Sequence, residues 1–194
     1  MWEVNVAENA AIMSAPAAAN NGVRLLPLLK TYLDMIALRK GPDAVPSSWL
    51  VVYFSVLILA VVWFLQVAMF DRGGEGRMLP AFGGYLLALL FYGGIVSAFG
   101  FPRRIKQTLS SIIACGSIIA AVAVVIFTVL VPLVGTGGAS VAYTLIWYWS
   151  VPVKGHIIAL AINQHWFVGV TIAIAAFIMR LGVETAFITR APGA

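Results

Sequence analysis

The sequence predicts an all-α polytopic membrane bundle, with about five transmembrane helices behind an N-terminal amphipathic interfacial helix. Three observations carry this expectation. Of the 194 residues, 62% are hydrophobic and 10% charged, whereas a water-soluble domain carries about 25% charge. The mean hydropathy is +1.00. The few charges gather in short clusters, separated by apolar stretches of about 20 residues or more, long enough to cross hydrocarbon as helices. A soluble fold of this size would have too little polar surface to cover itself.

Residues 1–22 are rich in Ala and Asn and show no apolar periodicity, so a disordered tail is expected there. The tail holds Glu3 and Glu8 but no Lys or Arg, unlike a secretory signal. Met13 opens MSAPAAANNG and is a second candidate start beside Met1. Residues 23–47 are expected to form an interfacial helix and its linker. In VRLLPLLKTYLDMIALRK, Leu25, Leu29, Tyr32, Leu33 and Ile36 recur at helical spacing. Asn20 or Asn21 suits the N-cap, Lys30 and Asp34 stand at i,i+4, and Gly41-Pro42 marks the stop. This segment is too short and too charged to span. It is expected either flat in the interface or packed on the ends of the other helices.

The transmembrane domain is expected over 48–188, with spans at about 49–70, 81–100, 108–134, 141–162 and 166–188. Trp49 is an interfacial anchor for the first. Asp71–Pro80 reads as a Gly-rich loop and Gly135–Ser140 as an uncharged flexible linker. Gly83-Gly84, Gly93-Gly94, the Gly93/Ser97 pair and the Gly116/Ala120 pair allow close helix approach. Residues 189–194 are expected to form a short C-terminal tail.

Ionisable groups at membrane depth are expensive and are the first candidates for function. The candidate polar intramembrane site comprises Pro152, Lys154, His156 and Asn163. Lys154 falls about 20 Å into its span, and Pro152 frees the carbonyl of Tyr148. A helix break near 150–155 is therefore expected. Either Lys154 and His156 line a cavity for an ion, a proton or a lipid phosphate, or Lys154 snorkels to the nearer interface. Arg180 and Glu184, at i,i+4, form a candidate ion pair. Lys154 and Glu184 differ in depth by about 15 Å in an antiparallel hairpin, which is poor for pairing.

No catalytic residue is expected. GxSxG, HExxH, Walker A and paired-carboxylate patterns are missing from the sequence. No cofactor is expected, and no metal site, since His156 and His165 do not share a helix face. Cys115, the single cysteine, lies in an apolar span and reads as an inert thiol. The net charge of +5 belongs to membrane-flanking loops rather than to a nucleic-acid partner. Lys and Arg number seven on the N-terminal side and four opposite, which favours a cytoplasmic N-terminus.

The segments LRKGPDAVPSSWLVVYF, entering the first span, and WYWSVPVKGHIIALAIN, in the fourth, resemble the Yip1-like group of small five-span membrane proteins. The resemblance covers residues 24–188 and implies a helical membrane bundle. Its eukaryotic members are tied to vesicle traffic and small GTPases, a role not carried over here. Short loops and high Ala content point instead to a bacterial inner membrane. The expected function is that of a non-enzymatic scaffold or accessory subunit. Its partners would be the lipid bilayer and a membrane protein partner or a homo-oligomer. The alternative is a small transporter or channel with a polar site around Lys154 and His156.

Overall fold

The computed structural model describes residues 25–70 and 78–188. The expected N-terminal tail, both candidate starts, the proposed Asn cap, most of the Asp71–Pro80 loop and the C-terminal tail lie outside them. Five α-helices follow in order: α1 Leu25–Ile36, α2 Trp49–Phe70, α3 Met78–Ala98, α4 Ile105–Ala161 and α5 Trp166–Ile188. Short 3-10 turns at Pro42–Ala44 and Pro102–Arg104 link α1 to α2 and α3 to α4.

The helices α2 to α5 are each long and apolar enough to cross a bilayer. Only 17 to 28% of each apolar window is buried inside the molecule. Tyr53, Phe64, Leu90, Leu145 and Phe167 all point outward. Helices that are apolar on every side yet mostly uncovered have lipid as their solvent. The chain is a multi-pass helical membrane protein.

At 57 residues, α4 would measure about 85 Å if straight, far more than a bilayer's thickness. It is instead a hairpin folded at Gly135, whose φ of 75° and ψ of 173° are open to glycine alone. The Phe127 and Tyr143 rings, 16 positions apart, have centroids 6.0 Å from each other. Gly116 and Lys154, each 19 positions from Gly135, touch across the hairpin. Among the described residues, the two arms, 105–134 and 136–161, bring the number of apolar passes to five. We call the end holding Gly135 and the outer ends of α2 and α3 apical, and the opposite end basal.

Here the structure corrects three expectations. The linker expected over Gly135–Ser140 is helical from Thr136 onward, and one glycine makes the reversal. The break expected near 150–155 is missing, and α4 runs unbroken through Pro152. Tight packing supports that turn: a Cβ on Gly155 would stand 2.7 Å from Val170 Cα, and one on Gly169 would stand 2.7 Å from Ala159 Cβ. Backbones this close hold a proline-bearing membrane helix in line. The helix α1 stops at Ile36 rather than at Gly41-Pro42. Leu38 takes a φ of 60°, and the Arg39 and Leu38 amides donate to the Asp34 and Met35 carbonyls at 2.8 and 2.9 Å. This is a Schellman cap made without glycine.

The hub is α4, which packs against every other helix. On one stripe of α1, Leu28, Tyr32 and Met35 are buried against it, while the neighbouring stripe of Leu26, Leu29 and Leu33 is exposed. The helix thus lies at the basal margin with one apolar face on the bundle and a second open to lipid. Asp34 pairs with Lys40 at 2.8 Å rather than with Lys30 as its spacing suggested. That bond holds its carboxyl below the usual carboxylate range.

Candidate functional site

The basal half of the bundle is interlocked by hydrogen bonds. Arg104 donates from Nη1 to the Ala161 carbonyl and to Asn163 Oδ1, each at 3.1 Å. It thereby covers acceptors at the end of α4 that the helix itself leaves open. Asn163 sits at a φ of 53°, and the Gln164 amide closes back on the Ala159 carbonyl at 2.9 Å. Gln107 donates to the Val45 carbonyl at 2.8 Å, and Lys106 stands 4.4 Å above the Trp49 ring. The buried Tyr32 and Ser55 hydroxyls meet at 3.4 Å, and the Cys115 thiol faces the Tyr32 carbonyl at 3.7 Å.

The apical half encloses a cavity of about 290 Å³ with walls from all five passes. Near its apical rim stand Phe70 and Ala81, at the ends of α2 and α3. Gln66 on α2 donates to the Tyr143 hydroxyl on the descending arm of α4 at 3.3 Å. Deeper in, Trp147, Ser150 and Lys154 succeed one another along that arm, opposite Gly116 and Ser117 on the ascending arm. A side annex of about 20 Å³, the room of a single water, continues between α3, α4 and α5 past Tyr85, Lys154 and Arg180.

Lys154 belongs to this cavity and does not snorkel to the basal interface, although that end is only seven residues away along α4. The cause is the direction of the chain. Side chains tilt toward the N-terminus of their own helix, and the descending arm of α4 has its N-terminus at the apical end. Lys154 is therefore aimed toward mid-membrane. Its Cε lies 3.8 Å from where a Cβ on Gly116 would stand. Among the described residues, its ammonium has no hydrogen-bond or ion-pair partner.

Arg180 lines the same cavity but is engaged. Its Nε donates to Glu184 Oε1 at 2.6 Å. Its guanidinium lies 4.5 Å from the Trp147 ring and 5.9 Å from the Tyr85 ring. Gly84 makes room for it, since a Cβ there would come within 3.0 Å of Arg180 Cγ. The Tyr85 hydroxyl is buried without a hydrogen-bond partner. Two cations and one carboxylate leave this region one positive charge in excess.

The residues grouped in sequence thus separate in space. Of Pro152, Lys154, His156 and Asn163, only Lys154 lines the cavity. His156 faces the backbone of Lys40 on the basal side, with Nε2 buried and unpaired. Asn163 is a basal cap. Arg180 joins Lys154 at the cavity with Glu184 as its counter-ion. Gln66, Tyr85, Tyr143, Ser117 and Ser150 complete the polar lining, and sequence reading did not single them out. Gln66, as the one strongly polar side chain in an otherwise apolar span, was the available signal. Among the described residues, no cluster of His, Cys, Asp and Glu is able to hold a metal ion.

These features define a multi-pass helical membrane protein with a positively charged cavity in its apical half. No family model, curated protein or solved structure matches the chain.

Proposed function

We propose that the protein is a small membrane carrier or channel, non-enzymatic in type, that admits a solute into the cavity between its five passes. One observation supports this above the others: Lys154, an ammonium inside the membrane, is aimed away from the nearer interface into an open space. A charge without a counter-charge in low dielectric costs several kcal/mol. A purely structural lysine at that depth would reach for the headgroups. The expectation of a scaffold or accessory subunit rested on few membrane-embedded charges, no catalytic set and no sizeable soluble domain; a cavity lined by Lys154 supports a solute site instead. The likeness to Yip1-like proteins adds architecture but no solute.

The basic residues support a cytoplasmic basal face. Lys30, Arg39, Lys40, Arg103, Arg104 and Lys106 all fall on that side, as cytoplasmic loops require. In a bacterial inner membrane the cavity rim would then face outward.

Thiol accessibility tests this reading. In a Cys115→Ser background, Ser150→Cys in nanodiscs is expected to react with water-soluble, membrane-impermeant methanethiosulfonates. Leu90→Cys, 73% exposed to lipid, is expected to stay unmodified because hydrocarbon suppresses the thiolate. Failure of Ser150→Cys to react with any such reagent would remove the carrier reading and return the protein to the scaffold class.

A further inference from the structure

We propose that the cavity binds a ligand with one anionic group on an apolar body, the anion against Lys154. This rests on the carrier reading above and adds the chemical class of its solute.

The charge of the lining sets the sign and number. Arg180 is matched by Glu184 at 2.6 Å, so Lys154 is the open charge. One negative charge neutralises it. A cation meets a like charge, a neutral solute leaves the ammonium bare, and a dianion brings an unmatched charge of its own. Lys154 lines both the main cavity and its annex, so a ligand in either space meets the same ammonium. Leu59, Val62, Trp63 and Ile119 make the remaining wall apolar, suited to a hydrocarbon or aromatic body. The volume falls near the low end for small-molecule sites. Soluble carboxylates and singly charged lipid phosphates share this chemistry.

The test uses the full chain carrying Cys115→Ser and Ser150→Cys in neutral phosphatidylcholine nanodiscs. Labelling rates are measured for an anionic sulfonatoethyl and a cationic trimethylammonium-ethyl methanethiosulfonate, each normalised to its rate with a free thiol. The sulfonate is expected to react about tenfold faster, with Lys154→Gln bringing the two rates to parity and Lys154→Arg keeping the preference. Equal rates with Lys154 intact, or a preference for the cation, would overturn the anion assignment while leaving an accessible cavity. No labelling by either reagent would overturn the carrier reading itself. The source is read by protection from the sulfonate reagent. Slowing by millimolar octanoate identifies a soluble carboxylate, and slowing by a minor fraction of phosphatidylglycerol identifies a lipid headgroup. Protection by neither overturns the proposed ligand.

Discussion

The two halves of the bundle are built from the same kind of apolar helix, yet they use their polar groups in opposite ways. In the basal half, Arg104 spans the end of α4, Gln107 holds the α1–α2 linker, and Tyr32 meets Ser55. In the apical half, Lys154 lines open space without a partner, whereas His156 Nε2, the unpaired buried atom on the basal side, lines neither cavity. Polar groups that satisfy one another inside a membrane hold a structure together, whereas polar groups left open are poised for something that arrives. The basal half therefore carries stability and the apical half carries the site.

Substitutions probe that division, beginning with the largest effect. Gly169→Val drives a side chain into the Gly155–Ala159 face of α4. It is expected to lower the unfolding free energy by about 3 kcal/mol, measured by detergent unfolding. At Gly94, where a Cβ meets nothing within 4 Å, alanine is expected to be neutral or to stabilise by about 0.5 kcal/mol. Arg104→Ala removes a charged donor from three acceptors on the basal side. A loss of about 2 kcal/mol is expected in the same assay.

In the apical half the sign reverses. Lys154→Leu replaces an unmatched charge by hydrocarbon and is expected to leave stability unchanged or raised by about 1 kcal/mol. A loss comparable to that of Arg104→Ala would mean that Lys154 is a structural member, and the contrast between the halves would fail.

The smallest effect lies at the margin, in the Asp34–Lys40 pair. Its carboxyl is held below the ordinary value of 3.8. The contribution is therefore complete above that value and is lost as pH falls through the lowered one. Amide hydrogen exchange in α1, corrected for the intrinsic rate, is expected to speed up on acidification from about pH 5 through that range.

Much of this architecture was legible in the sequence, because apolar length and scarcity of charge need no partner to be read. The positions of Trp49–Phe70 and Trp166–Ile188 follow from their own composition. The turn between the third and fourth passes was legible only as Gly-rich texture. That Gly135 alone reverses the chain depends on how the Phe127 and Tyr143 rings meet, which is a tertiary fact. The end of α1 was misread because Leu38 adopts a conformation usually left to glycine, and propensity does not anticipate it. Lys154 and Arg180 stood out singly as charges in apolar spans. Their meeting at one cavity, with His156 turned away from it, is set by helix rotation and by the Gly84, Gly155 and Gly169 contacts. In a span apolar on all sides there is little periodicity to reveal that rotation.

The cavity exists only because α4 doubles back at Gly135 and sets its descending arm against its ascending one. Cysteine cross-linking tests this directly, using Phe127→Cys and Tyr143→Cys in a Cys115→Ser chain treated with a short bifunctional methanethiosulfonate in native-like bilayers. The ring centroids at these positions are 6.0 Å apart, so the two side chains meet and intramolecular cross-linking by that reagent is expected. Without the fold-back, 16 helical residues would hold the two thiols about 24 Å apart. No intramolecular cross-link in folded protein would contradict the hairpin and remove the cavity with it.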